Sequence, residues 1–355
     1  MMSFIKKNLF GLVTFCLSAV ILTVTIMKSG GGSAFLSELG GASPFWLLAA
    51  FCCAVAYWYF DALVLDSLVK KKYGNYLLPR SMKTVVTGLL YNALTPFGVG
   101  GQPAQIYDMT TVGVESGDSV SFITVKSTIY QVSLAVFAVA ALIMTGSFFA
   151  GHVDNLHIYL LWGAASNFVI LFLAILLFFN VKLVKRIFFH LIHFLRKIKL
   201  IHNWRRALKT CLKQVKIFYG SISALKEMRL TLAVCFLYTF MQLIVYYLAP
   251  FCVFQSLHMQ VKPDFSNLNV LFYFMCAAAI TSMMTSFVPI PGAVGAAEAC
   301  FILMYGLFFS GGLIFTAVII WRLATYYFFI IAGTAINFSN IKKKRRSVCQ
   351  DRSSR

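Results

Sequence analysis

Apolar runs long enough to cross a bilayer alternate with short polar segments along most of this chain. Leu9–Met27, Phe45–Leu68, Ser119–Gly146, Ile158–Asn180, Leu230–Cys252 and Gly312–Phe338 each approach or exceed the roughly 20 residues a helix needs to span. The first run is longer than the roughly 7–15 residues of a signal-peptide core, so it reads as a retained span. Two further apolar stretches are interrupted. Ser81–Leu94 runs into a break over Thr95–Pro103 and then a short helix to Val112. Val270–Val288 runs into Pro289–Gly295 and a short apolar helix to Phe309. The pattern predicts an all-α polytopic membrane protein with about six full spans and two broken hairpins. It forms one membrane domain over residues 1–341, followed by a basic tail, 342–355.

The first break organises the chain. Asn92–Tyr107 holds Gly98, Gly100, Gly101, Pro96 and Pro103. Glycine supplies unusual backbone angles, and proline removes an N–H and stops helix continuation. Broken backbone at membrane depth is tolerated only where protein buries it or where it lines a cavity. Both breaks are therefore candidate sites before any chemistry is considered.

Composition agrees with the pattern: 60% of residues are hydrophobic and only 12% charged, with mean hydropathy +0.81. The formal charge of +20 is concentrated. Of 31 Lys and Arg, 13 fall between Lys182 and Arg229, and seven between Lys342 and Arg355. Clusters beside apolar spans are the positive-inside signature and attract anionic headgroups, so the expected partner is membrane phospholipid and not nucleic acid. Between Lys182 and Arg229, Ile187, Phe188, Leu191 and Ile192 intersperse with cations, as in amphipathic helices lying on the inner leaflet. The nine cysteines are scattered without a C-x-x-C pair, and the six histidines do not cluster with acids. No metal site and no cofactor is expected.

Orientation follows by counting. With Lys182–Arg229 and the tail in the cytoplasm, Ser147–His157 is outside and both Gly113–Asp118 and Lys70–Lys83 are inside. Ser81–Val112 must then leave and return on the cytoplasmic side, and Val270–Phe309 on the outer side. The chain is expected in the cell membrane with both termini cytoplasmic. The breaks also match in spacing: Pro96 precedes Gly100, Gly101 and Gln102 as Pro291 precedes Gly295, Ala296 and Ala297. Oppositely oriented broken hairpins point to an inverted-repeat transporter with its site at the repeat interface.

Ionisable residues also lie within the apolar segments, Lys126 near the start of Ser119–Gly146 among them. Arg322 sits in its span at a cost of roughly 2.5–3.5 kcal/mol near a helix centre, so a partner is expected, and Glu298 is the natural one. Asp61 and Asp66 lie towards the inner end of the second span, where interfacial water or neighbouring lysines are expected to meet them.

At these residues the chain resembles a known family. Asn92-x-x-Thr95-Pro96-x-x-x-Gly100-Gly101-Gln102-Pro103-x-Gln105-x-Tyr107, Pro289-x-Pro291-Gly292-x-x-Gly295-x-x-Glu298 and Arg322 look like the lysylphosphatidylglycerol synthase transmembrane-region family. That is the flippase-like membrane part of the bacterial multiple peptide resistance factor. The resemblance spans roughly Phe10 to Phe338 and implies a lipid flippase or transporter for an anionic, aminoacylated or otherwise lipid-linked substrate. Those fourteen numbered residues, Pro103 apart, would then form the transport path. In full-length synthases a soluble domain transfers lysine from lysyl-tRNA to phosphatidylglycerol. Only 17 residues follow Phe338 here, so a stand-alone member is expected, working with a separate lipid-modifying enzyme. The alternative is a membrane component of lipid aminoacylation, of the phosphatidylglycerol lysyltransferase type, or of lipid-linked glycan synthesis. Many relatives carry Glu and Arg where this chain has Gln102 and Gln105, so an ion pair at i, i+3 has become an amide pair. The site's polarity is accordingly expected from backbone N–H groups and amides, with fixed charges only across the repeat interface.

Overall fold

A computed structural model describes residues 31–153, 180–197, 204–265, 269–286, 288–308 and 312–337, with scattered helical positions within 20–27 and 158–176. The predicted spans Leu9–Met27 and Ile158–Asn180, and the tail from Lys342, lie wholly or largely outside the described residues. Eleven helices are described: α1 (Gly32–Gly40), α2 (Pro44–Val69), α3 (Leu78–Leu94), α4 (Gly101–Thr111), α5 (Ser116–His152), α6 (Val181–Lys197), α7 (Trp204–Glu227), α8 (Arg229–Ser256), α9 (Val270–Thr285), α10 (Ala296–Tyr305) and α11 (Leu313–Asn337). Four of them, α2, α5, α8 and α11, are long and apolar enough to cross a membrane.

The longest mutual packing is between α2 and α8. Ala50, Ala54 and Ala62 sit on multiples of a four-residue spacing along α2, and all three are buried. Small residues on one helix face let backbones approach closely where lipid supplies no hydrophobic drive between helices. Helix α5, with 37 residues, is about 55 Å long at 1.5 Å per residue, well beyond the hydrocarbon thickness.

Helix α5 also serves as a ruler for the two hairpins. At its start, Asp118 accepts from Lys72 Nζ (2.7 Å) and Tyr73 Oη (2.5 Å), while Lys83 of α3 pairs with Asp108 of α4 at 2.6 Å. The outer ends of the α3–α4 hairpin thus lie at this end, which is rich in lysine. At the far end of α5, Phe148 and Phe149 pack on Phe308 just past α10 and on Tyr273 of α9. The α9–α10 hairpin therefore opens at the other end, as the loop count predicts. Helix α11 runs between the ends, with Thr316 bonded to Glu38 near one and Asn337 bonded to Thr87 (3.3 Å) towards the other.

The buried core is split to match. One apolar cluster centres on Leu65, Val85, Met109 and Phe122 at the lysine-rich end, and a larger aromatic one on Phe149, Phe274, Tyr305 and Phe308 at the other. A third, small cluster of Ala93, Val294 and Tyr326 lies by the two breaks. The middle of the bundle is where polar groups and open space concentrate.

The basic segment forms two amphipathic helices. Helices α6 and α7 form a pair, and α7 docks on the bundle: Gln214 accepts the Gly117 N–H (2.7 Å) and Ser221 bonds Asp118. These polar side chains satisfy groups at the α5 N-terminus, where the first four N–H groups have no intrahelical partner.

Candidate functional site

Each hairpin breaks at a short 3-10 turn that begins with proline: Pro96–Gly98 and Pro291–Ala293. At matched positions both turns hold two consecutive residues in the left-handed region, Phe97 and Gly98 (φ 55° and 62°) and Gly292 and Ala293 (φ 62° and 50°). Only one residue of each pair is glycine. Left-handed backbone at Phe97 and Ala293 is strained, and such strain persists only where surrounding packing enforces it. The two turns pack against each other in the centre of the molecule.

Side chains close the backbone groups that the breaks expose. Asn92 Oδ1 accepts from Gly101 N–H and Thr95 Oγ1 from Gly100 N–H, each at 2.9 Å, which caps α4 from the preceding helix. Glu298 Oε2 accepts the Gly295 N–H at 2.6 Å, the returning half of a capping box. These three N–H groups are occupied within the protein. The expectation that backbone N–H groups at the breaks stay available to a ligand is corrected for them.

Glu298 also meets Arg322. Arg322 Nε lies 2.8 Å from Glu298 Oε1, an ion pair by distance without the alignment of a hydrogen bond. The Nη atoms reach the carbonyls of Gly292 and Ala293 only loosely, at 3.4 and 3.5 Å. The guanidinium lies over the rings of Trp321 and Tyr326, 5.1 and 5.2 Å from their centroids. Immediately after Arg322, α11 widens into a π turn, Leu323–Tyr327, a distortion found mostly at functional positions. Arg322 thus holds the second turn from α11 while keeping donor capacity in hand.

Two cavities meet at this arginine. The larger, about 490 Å³, is lined from the first hairpin by Asn92, Phe97, Gly98, Gln102 and Gln105 and from the other side by Gly292, Arg322 and Tyr326. The smaller, about 110 Å³, lies towards Pro250, Ala278, Phe301 and Tyr305. Tyr246, Ser282, Thr285, Gly292 and Arg322 line both and form the partition. The larger volume falls in the range of ligand sites, roughly 300–1,000 Å³.

Of the residues singled out in the sequence, Asn92, Gln102, Gln105, Gly292 and Arg322 line the larger cavity. Thr95, Gly100, Gly101, Gly295 and Glu298 hold those residues in place, and Pro96 and Pro291 start the turns. Pro289 precedes the second turn and lines neither cavity. Tyr107 stands apart, 72% exposed and lining neither cavity.

The sequence reading missed a second charged pair. Asp61 of α2 and Lys126 of α5 pair at 2.8 Å, each side chain only 9% exposed, and both line the larger cavity. Lys126 Nζ also donates to Gln105 Oε1 at 3.3 Å. Asp61 is therefore not interfacial, and the fixed charges nearest the first break lie within its own half of the molecule. Asp66 behaves as expected, paired with Lys70 at 2.8 Å and bonded by Ser81. The missed signal was available: two ionisable residues of opposite sign inside apolar spans, each needing a partner. Gln131 of α5, half-buried, and Gln242 of α8, buried, complete the lining that sequence reading did not find. Among the described residues there is no group of three His, Cys, Asp or Glu side chains placed to hold a metal ion.

Comparison with known proteins covers nearly the whole chain. Residues 8–333 match the family described as the lysylphosphatidylglycerol synthase TM region. The chain is also similar to a UPF0104 membrane protein of Archaeoglobus fulgidus, 25% identical over 345 residues that cover 92% of this chain and 97% of the relative.

Proposed function

The chain belongs to the lysylphosphatidylglycerol synthase transmembrane-region family, and from that premise we propose that it carries the headgroup of an anionic or otherwise lipid-linked substrate across the bilayer. The single observation that carries the proposal is the position of the 490 Å³ cavity, lined by both breaks and by Arg322 between hairpins that open at opposite ends. A cavity of about 490 Å³ is of headgroup size. The chains would stay in lipid while the polar head crosses between the hairpins.

Alternating access then amounts to moving the partition. Arg322 faces both cavities, so a head bound to it is presented to either side as the hairpins shift. The lysine-rich end, with Lys70, Lys71, Lys72, Arg80 and the α6–α7 pair, would face the cytoplasm by the positive-inside rule. In that orientation both termini are cytoplasmic in the cell membrane, and each cation near the surface adds about 1 kcal/mol of attraction for anionic lipid. A separate enzyme would make the lipid that is moved.

Reconstitution in vesicles with leaflet-specific lipid probes tests the proposal. Protein-dependent exchange should appear for an anionic lipid, fall at least tenfold in Arg322→Ala and be partly kept in Arg322→Lys, which retains charge but not the planar fork. No exchange of any candidate lipid would sink the transport reading. Formation of lysylphosphatidylglycerol from lysyl-tRNA by this chain alone would replace it with an enzyme.

A further inference from the structure

The larger cavity has an unusual division of chemistry. Among the described residues its wall carries three formal charges, Lys126, Arg322 and Asp61. The carboxylate of Asp61 is held by Lys126 at 2.8 Å, and Glu298, behind the wall, is held by Arg322 at 2.8 Å. Neither carboxylate is vacant. Among the described residues an ammonium entering here would find no free anion and would sit beside two cations, where like charge disfavours it.

The rest of the wall suits hydroxyl groups. Five carboxamides line it, from Asn92, Gln102, Gln105, Gln131 and Gln242. A carboxamide offers donor and acceptor on adjacent atoms, which matches neighbouring hydroxyls that both give and take. The Oε1 atoms of Gln131 and Gln242 are buried without a hydrogen-bond partner, so each amide can turn towards a ligand hydroxyl without giving up a bond at Oε1. The tyrosine rings do not form an open aromatic cage for a cation: Tyr57 packs on Tyr246 and Phe329, with centroids 5.3 and 5.9 Å apart. The volume, about 490 Å³, admits a phosphate with a polyol or sugar ring attached.

On the reading that this chamber takes a lipid headgroup, we infer that the head is a phosphate carrying a hydroxyl-rich substituent, a polyol or glycosyl phosphate. The phosphate lies towards Arg322, whose Nη donors are only loosely engaged, and the hydroxyls lie towards Gln105, Gln131 and the Asp61–Lys126 pair. This arrangement sets the selectivity against aminoacylated or ammonium-bearing heads.

A headgroup series with identical acyl chains tests it. The purified full chain in detergent is titrated with phosphatidylinositol, phosphatidylglycerol, phosphatidic acid and lysylphosphatidylglycerol, and binding is read by ligand-induced thermal stabilisation and native mass spectrometry. The inositol and glycerol lipids should bind about tenfold or more tightly than phosphatidic acid, as two or more added hydrogen bonds would give, and the lysyl lipid no tighter than phosphatidic acid. Gln131→Leu and Gln242→Leu should bring the polyol lipids down to the phosphatidic acid level. The wild-type ranking stands as a test even if those variants fold poorly. Equal or tighter binding of phosphatidic acid, or tightest binding of the lysyl lipid, overturns the inference.

A last arm uses water-soluble inositol 1-phosphate. Binding as tight as that of the lipid supports the headgroup chemistry while removing the lipid from the transport reading. Leaflet exchange of the same four lipids separates the claims further. Exchange without headgroup preference overturns this inference and leaves transport standing. A polyol preference in binding with no exchange does the reverse.

Discussion

Tyr326 donates its hydroxyl to the backbone carbonyl of Ala93, 3.2 Å away and 233 positions earlier in the chain. That bond joins the final span to the last turn of α3, immediately before the first break, while the ring of Tyr326 presses on Gly292 in the second turn. One side chain thus registers both broken hairpins against each other.

Tyr326→Phe keeps the ring and removes the bond. Ala93 sits in the last turn of α3, where carbonyls lack intrahelical partners. A loss of about 1 kcal/mol is expected, read as a lower unfolding temperature of the purified protein. An unchanged melt would mean that water replaces the tyrosine at no cost.

Gly292→Ala should be worse. Gly292 has φ +62°, and an added Cβ would overlap the Tyr326 ring. The strain and the overlap together cost about 1–3 kcal/mol. Part of that loss should disappear when Gly292→Ala is placed in a Tyr326→Ala background, because only the overlap is relieved. A fully additive double-variant cycle would contradict this contact.

The Asp61–Lys126 pair makes an asymmetric prediction. Lys126→Met alone leaves a carboxylate buried without its cation and should destabilise by about 3–5 kcal/mol. Asp61→Leu combined with Lys126→Met removes both charges and should recover most of that loss. Denaturation of the three variants decides it: a double variant no better than the single would show that the pair is not desolvated.

Tyr73 gives the chain an alkaline signature. Burial, and then its hydrogen bond to Asp118, push the phenol from its ordinary 10.0 up to about 12. A raised folded-state value means that the bond's contribution is complete below pH 10 and fades as pH rises towards 12. Tyr73→Phe should remove one tyrosine from the late part of the phenolate absorbance titration, together with the stability lost over that window.

Much of the molecule is legible in one dimension. Helical spans are set by length and hydropathy, and the hairpin ends by counting crossings against lysine placement, so α2, α5, α8 and α11 and the opposed openings follow from the chain. Element ends shift: Ser119–Gly146 is in fact Ser116–His152, continued by Ser116–Asp118 at one end and at the other by a turn whose Phe148 and Phe149 pack on Tyr273 and Phe308. The Arg322–Glu298 partnership was legible too, since a membrane arginine needs a carboxylate and few are on offer.

The sequence by itself determined the membrane class, the places where backbone had to break and the arginine that had to be partnered. These follow from local rules, the span a helix must cover and the cost of an unpaired charge in lipid. Tertiary structure alone decided that Lys126 meets Asp61, 65 positions away, and Gln105, 21 positions away. It also decided that Asn92 and Thr95 close the backbone of α4, and that Tyr107 faces away. Such pairings depend on how each helix is rotated about its axis and which neighbours it packs against, and an apolar span with no strong moment carries almost no record of that rotation.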